Sequence, residues 1–292
     1  MKRKFFALFF IFLIYSCAPP AKNPTIREEV KNSTTENMKL GVKEYKNGNY
    51  PSARMFFEEA LKQAYLIDNT SEIVNILINL CEINLRLENY TEASNQIFSA
   101  RYIAKKENIY EHNFMLNLTI GRYYEKAYKN EKGYELALDF YLKALNEAKE
   151  DTDRAIVYSN IGLVKIRTDQ LREAKNWIEK ARAINESRQI YTALGDNYFY
   201  LGEIFEKQNN YDIAIKNYLL ALKYDKIAEK TMAILEDLKR IALLYSKMNM
   251  EEDAIFYFEK AYKVAEGLNI ATEKAFIQEK IENLKQKTSG KL

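Results

Sequence analysis

One pattern recurs six times along this chain: an alanine, a large side chain four residues later, and a second alanine seven residues after the first. The alanine pairs are Ala53/Ala60, Ala93/Ala100, Ala137/Ala144, Ala174/Ala181, Ala214/Ala221 and Ala254/Ala261. The large residues between them are Phe57, Ile97, Tyr141, Ile178, Tyr218 and Phe258. Successive first alanines are 40, 44, 37, 40 and 40 residues apart. Offsets of four and seven share one helical face. Twelve residues before each first alanine stands Gly41, Cys81, Gly162, Gly202 or Ala242, with Glu125 as the exception in the third repeat. Each unit is thus two antiparallel helices with small side chains at the crossing. A single pair cannot bury its apolar face alone, so stacking of neighbours has to complete the core.

The prolines agree. They are Pro19, Pro20, Pro24 and Pro51, so nothing from Ser52 onward forces a helix to break. Short polar runs mark turns between the two helices of a unit, as at Gly48, Glu88-Asn89, Thr168-Asp169-Gln170, Gln208-Asn209-Asn210 and Met248-Asn249-Met250. In the third repeat the spacing reads as a first helix one turn longer, which gives Gly121 the role that Glu125 holds by count. Residues 270–287 carry Ile270, Ile277, Ile281 and Leu284 on one stripe. That is the one-sided helix a solenoid end requires, and 288–292 read as a tail.

The first residues read as an address. Lys2-Arg3-Lys4 precedes an apolar run from Phe5 to Tyr15, too short for the roughly 20 apolar residues of a membrane span and right for a secretory signal. Ile14-Tyr15-Ser16-Cys17 resembles the bacterial lipobox, an aliphatic, a tolerant and a small residue before the cysteine that is acylated. The resemblance implies a signal peptide over 1–16, lipidation at Cys17, and a tether over 17–34 containing Pro19, Pro20 and Pro24. Ala18 points to the outer membrane, facing the periplasm. An ordinary signal peptide with an incidental cysteine is the competing reading.

Leu40-Gly41, Tyr45, Gly48-Asn49-Tyr50, Ala53, Phe57 and Ala60 resemble the tetratricopeptide repeat (TPR) family. So do Leu201-Gly202, Asn210-Tyr211, Ala214, Tyr218 and Ala221. The resemblance implies an all-α fold: a right-handed α-solenoid of about six helix pairs over 35–269, capped by the helix at 270–287. The period is longer than the family's usual 34 residues, and the usual proline after the second helix is absent. HEAT and armadillo repeats share the period but not the alanine–aromatic code. What the resemblance implies functionally is protein binding, as a scaffold or adaptor. Self-association through solenoid ends or convex faces is the alternative.

Chemistry is not signalled. Gly-x-Gly, His-Glu-x-x-His and Cys-x-x-Cys do not occur, so no catalytic residue, metal site or cofactor is expected. The one histidine, His112, reads as a surface or capping residue, and Cys81 as a buried thiol at a helix crossing. The chain has 44 Lys+Arg and 41 Asp+Glu. Removal of 1–16 takes Lys2, Arg3 and Lys4 with it and leaves the remainder neutral. A neutral chain lacks the electrostatic footprint of nucleic-acid binding.

In the TPR family the first helices line a concave groove. The matching offsets here carry Lys39, Lys46, Arg86, Arg122, Lys126, Lys129, Arg167, Lys207, Lys239, Arg240 and Lys247. The acids read on the same stripe are Glu82, Asp196 and Glu236. Asn79 and Asn160 stand where family members grip a peptide backbone. The expectation is a groove for an acidic or C-terminal peptide segment of a partner protein, with an ordinary solvated face as the alternative.

Overall fold

The computed structural model describes residues 25–289 and contains thirteen helices among them. They are α1 (Ile26–Lys46), α2 (Tyr50–Leu66), α3 (Thr70–Arg86), α4 (Tyr90–Lys106), α5 (Asn113–Ala127), α6 (Glu131–Glu147), α7 (Asp151–Arg167), α8 (Leu171–Ser187), α9 (Tyr191–Lys207), α10 (Tyr211–Ile227), α11 (Thr231–Lys247), α12 (Glu251–Gly267) and α13 (Ala271–Ser289). Ten of them are 17 residues long, which is about 25 Å of helix. Most are joined by three-residue turns, and two such helix-plus-turn units make the 40-residue beat of the sequence.

The turns explain how a chain with nine glycines makes so many reversals. Ten turns contain one residue in the left-handed region: Gly48, Asp68, Glu88, Asn108, Asp169, Gln189, Asn209, Glu229, Asn249 and Asn269. The following amide then donates to the carbonyl five residues back, as in Asn69 N to Ala64 O (3.0 Å) and Gln170 N to Lys165 O (2.8 Å). This is the Schellman closure of a helix end. Asn and Asp accept the left-handed conformation better than other side chains, and they supply six of the ten positions.

The crossings form as the code requires. All twelve alanines of the pattern are wholly buried, with Phe57, Ile97, Tyr141, Ile178, Tyr218 and Phe258 between them. A Cβ placed on Gly41, Gly162 or Gly202 would stand within 2.4–2.7 Å of the large residue 16 positions on. Gly121 meets Tyr141, 20 positions on, at 2.5 Å. Gly121 is therefore the crossing residue of the third pair. The longer first helix is not found: α5 has 15 residues, and the first alanine is the seventh residue of α6 instead of the fourth, as it is elsewhere. The extra residues extend α6 at its N-terminus. The turns at each end of α6 lack a left-handed residue; Asn130 Oδ1 caps α6 by accepting from Gly133 N at 2.9 Å.

Two boundaries differ from expectation. The tether read to residue 34 gives way to helix at Ile26, where Thr25 and Glu28 form a reciprocal capping box. Thr25-Ile26-Arg27-Glu28 has the spacing of that motif, and Thr34 is buried in the helix that follows. At the other end α13 runs through Ser289, beyond the expected end at 287. The signal segment 1–16 and Cys17 lie outside the described residues.

Candidate partner-binding groove

Odd-numbered helices form the inner layer. In it α3, α5, α7 and α9 each touch the next, and their exposed faces bound a cavity of about 260 Å³. Arg86, Arg122, Lys126 and Asn160 line it, so four of the sequence-derived candidates come together. Glu82, Glu125, Asp196 and Tyr200 line it too.

The stripe is less cationic than eleven bases against three acids. With Gly121 as the crossing residue, Glu125 joins the groove, and Lys129 falls in the exposed turn after α5. Glu203 and Glu206 lie at the same offsets from Gly202 and also belong to the stripe. These carboxylates bind the cations of neighbouring repeats. Arg122 Nη1 lies 2.8 Å from Glu82 Oε1, and Arg167 Nη1 2.9 Å from Glu203 Oε1. Lys247 reaches Glu206 at 2.8 Å, and Arg240 reaches Glu236 at 2.9 Å and Glu206 at 3.5 Å. Lys239 bridges Glu236 (3.0 Å) and Glu273 (2.9 Å). Lys207 pairs loosely with Asp169 at 3.7 Å.

Five of the eleven cations form no ion pair among the described residues: Lys39, Lys46, Arg86, Lys126 and Lys129. Lys39 and Lys46 are exposed near the N-terminal end. Among the described residues Arg86 donates to the Tyr45 hydroxyl alone, at 3.3 Å. Lys126 is half-buried; burial and the nearby Arg86 charge push its ammonium pKa down, against the pull of Glu125. Burial alone would raise the Glu82 carboxyl, but the charge and hydrogen bond of Arg122, the hydrogen bond that Thr119 Oγ1 donates at 2.8 Å and the Arg86 charge together hold it below its ordinary value. Glu82 thus pairs directly with Arg122, while Arg86 and Lys126 feel its charge without forming an ion pair with it among the described residues.

A second regularity ties the groove to the core. The large residue between the alanines is tyrosine in the third and fifth pairs, and in both a glutamate stands four residues after the crossing glycine. Tyr141 Oη donates to Glu125 Oε2 at 2.7 Å and Tyr218 Oη to Glu206 Oε2 at 2.9 Å. Where phenylalanine or isoleucine fills the crossing, that position is Tyr45, Leu85, Ile166 or Ser246. A buried hydroxyl needs an acceptor, and this chain places one wherever it has the hydroxyl. Burial raises the Glu125 carboxyl, and the Tyr141 bond partly offsets it.

Asn79 and Asn160 are half-buried in the groove wall, with their amides turned back onto their own helices. Asn79 Nδ2 donates to Asn75 O at 2.8 Å, and Asn160 Nδ2 to Ile156 O at 2.7 Å. Asn160 also accepts from Arg122 Nε at 3.4 Å. His112 takes the position before α5 without capping it; its Nε2 lies 2.9 Å from Ser71 Oγ. Cys81 is buried at its crossing, and burial raises its thiol pKa. Among the described residues no group of three or more His, Cys, Asp or Glu is placed to hold a metal ion, and no helix is long and apolar enough to cross a membrane.

A stack of antiparallel helix pairs with small residues at every crossing defines the class: an all-α, TPR-like solenoid. The tetratricopeptide repeat model matches residues 195–227 and 240–267, the fifth and sixth pairs. Solved structures of the same fold include a Rap protein complexed with competence and sporulation factor, at 20% identity and a TM-score of 0.64, covering 89% of this chain and 77% of that one. The apo form of RapI aligns at 14% identity and a TM-score of 0.67, over 88% of this chain and 72% of that one. PilF of Pseudomonas aeruginosa aligns at 17% identity and a TM-score of 0.53, over 86% of this chain and 98% of that one. At these identities the likeness is one of fold. No curated protein matches the chain in sequence.

Proposed function

We propose that this protein is a lipid-anchored adaptor of the bacterial cell envelope that holds an acidic or C-terminal segment of a partner protein in its concave groove. The anchor is Cys17, and the lipobox-like Ile14-Tyr15-Ser16-Cys17 after a short apolar run supports it. Two or more acyl chains give stable attachment where a single chain gives only a marginal one. Ala18 supports an outer-membrane position facing the periplasm. The TPR-like fold is consistent with protein–protein interaction. The Rap neighbour is itself a complex with a further factor; the extension of a ligand-holding role to this chain belongs to the proposal.

The observation that carries the groove reading is the charge left over at its centre. Arg86 and Lys126 line the cavity and repel one another; Glu82 and Glu125 attract Lys126 there, but Glu82 is paired with Arg122 and Glu125 accepts from Tyr141, and among the described residues neither carboxylate forms an ion pair with Arg86 or Lys126. A carboxylate of a partner placed between them removes that repulsion and gains charge-assisted hydrogen bonds. Cations in a concave wall also focus potential and speed encounter with an anionic partner.

Two experiments test the two halves of the reading. Cys17→Ser is expected to abolish incorporation of labelled palmitate and to move the protein out of the detergent phase; wild-type behaviour in both assays would refute the anchor. A photo-crosslinking residue at position 160 is expected to trap a partner in intact cells, and one at the exposed Tyr102 of the outer helix α4 is not. Equal trapping at both positions, or self-adducts alone, would favour the self-associating structural role.

A further inference from the structure

The junction between α10 and α11 repeats the architecture of the preceding one with an altered chemistry. In the preceding junction Asn185 and Asn197 are buried, and Asn185 Nδ2 donates to Asn197 Oδ1 at 2.7 Å. Asn197 Nδ2 continues to Ser159 Oγ at 2.8 Å. One repeat further on, 40 residues later in each case, stand Asp225 and Asp237. They are 1% and 0% exposed. Two carboxylates have no hydrogen to share. Among the described residues both oxygens of Asp237 lack a hydrogen-bond partner, and so does Oδ1 of Asp225.

The charged groups facing the pair come from three elements. Lys230, in the turn between α10 and α11, stands 3.4 Å from Asp225 Oδ1 but is shared with Asp196 of α9. Glu236 of α11 adds negative charge, although Lys239 and Arg240 engage it. One ammonium thus faces three aspartates. Helix α9 closes directly over the site: a Cβ on Gly195 would fall 2.0 Å from Asp225 Oδ1. A charged, unpaired carboxylate in such a place is far costlier than a protonated, hydrogen-bonded one.

We propose that Asp225 and Asp237 share one proton in the folded protein, and that this proton does the work of the Asn185–Asn197 amide bond, so that the α10–α11 junction is tight in mildly acidic surroundings and loosens as the pH rises. Burial, and then the Asp225 charge, push the Asp237 carboxyl up to about 9. Burial raises Asp225 as well, against the pull of Lys230. An unfolded aspartate releases its proton near pH 4. Between about pH 4 and about 9 the folded chain therefore holds a proton that the unfolded chain has given up, and stability from this pair falls as pH rises. This is opposite in sign to the surface carboxylates that accept ion pairs.

The test uses the full chain and Asp237→Asn, which restores an amide donor at a position where the previous repeat already uses one. The wild-type unfolding constant is expected to rise with pH across this window, by up to about tenfold per pH unit in its steepest part, and the D237N constant to rise much less. Amide exchange in α10 and α11, corrected for the intrinsic pH effect, should follow the same difference. Parallel pH profiles for the two proteins would overturn the proposal. Carboxyl carbon-13 shifts of the wild type give a check that needs no variant: one proton retained on the pair at neutral pH is expected, and titration of both Asp225 and Asp237 near pH 4 would overturn it.

Discussion

The two halves of the groove use the same kinds of side chain differently. From α9 onward each candidate cation is answered by a carboxylate: Lys207 by Asp169, Lys239 by Glu236 and Glu273, Arg240 by Glu236 and Glu206, and Lys247 by Glu206. Before α7, among the described residues, only Arg122 is so engaged, with Glu82, while Lys39, Lys46, Arg86, Lys126 and Lys129 make no ion pair. The first arrangement ties inner helices to one another across repeats. The second leaves charge available at a cavity. A count of bases along the stripe does not separate the two; the distribution of acids does.

The largest effects should come from the crossings, and they should not distinguish the halves. Gly121→Leu in the central region and Ala214→Leu in the C-terminal region each force a large side chain against a wholly buried neighbour. Each should cost at least about 1–3 kcal/mol, read as a drop in the denaturation midpoint. Glu125→Gln, one turn beyond Gly121, keeps an acceptor for the buried Tyr141 hydroxyl and should cost much less. A reversed order would mean that the third pair crosses somewhere other than Gly121.

That crossing marks how far the sequence was legible. The alanines, the large residues between them and the small residues twelve positions earlier announce the helix pairs because close packing admits few side chains there. The third pair was ambiguous because its extra residues went into the start of α6, and Asn130 capping leaves only a weak local signal. The start of α1 had a signal, Thr25 with Glu28, but three nearby prolines favoured an extended reading. The groove was legible as a face and not as a charge pattern. Glu203 and Glu206 sit on the same offsets as the bases, and their effect depends on which rotamer reaches the next repeat. The Asp225–Asp237 pair was hidden for a similar reason: aspartates twelve residues apart look like surface charge until two helices close over them.

Ion-pair removal should separate the halves next. Arg122→Ala takes from Glu82 its one ion pair among the described residues and leaves it the Thr119 hydrogen bond, and should cost about 3 kcal/mol. Arg86→Ala, with no carboxylate to strand, should stay within about 0.5 kcal/mol. Chemical denaturation of both variants at pH 7 measures the contrast; equal costs would mean that Arg86 holds the fold together as much as Arg122 does.

A smaller contrast lies in the tyrosine hydroxyls. Tyr141→Phe removes the one hydrogen-bond donor that Glu125 has among the described residues, and should cost about 1.5 kcal/mol. Tyr218→Phe leaves Glu206 with Lys247 at 2.8 Å and Arg240 at 3.5 Å, and should cost under about 1 kcal/mol. Thermal unfolding resolves the pair if the two variants are compared in one buffer. An equal loss would remove the distinction between a singly and a multiply supported carboxylate.

The most direct test of the groove as a binding surface compares two double charge reversals. Arg86→Glu with Lys126→Glu alters the unpaired charges at the cavity; Arg240→Glu with Lys247→Glu alters paired charges farther along. Each protein is used for capture from envelope extract at about 50 and about 300 mM salt, where screening differs strongly. The first reversal should keep its fold and lose the main partner, whose binding to the wild type weakens at the higher salt. The second should lower stability and still capture that partner at temperatures where it is folded. Retention of the same partner by the Arg86/Lys126 variant, with the salt response of the wild type, would rule out the cavity charges as the binding surface.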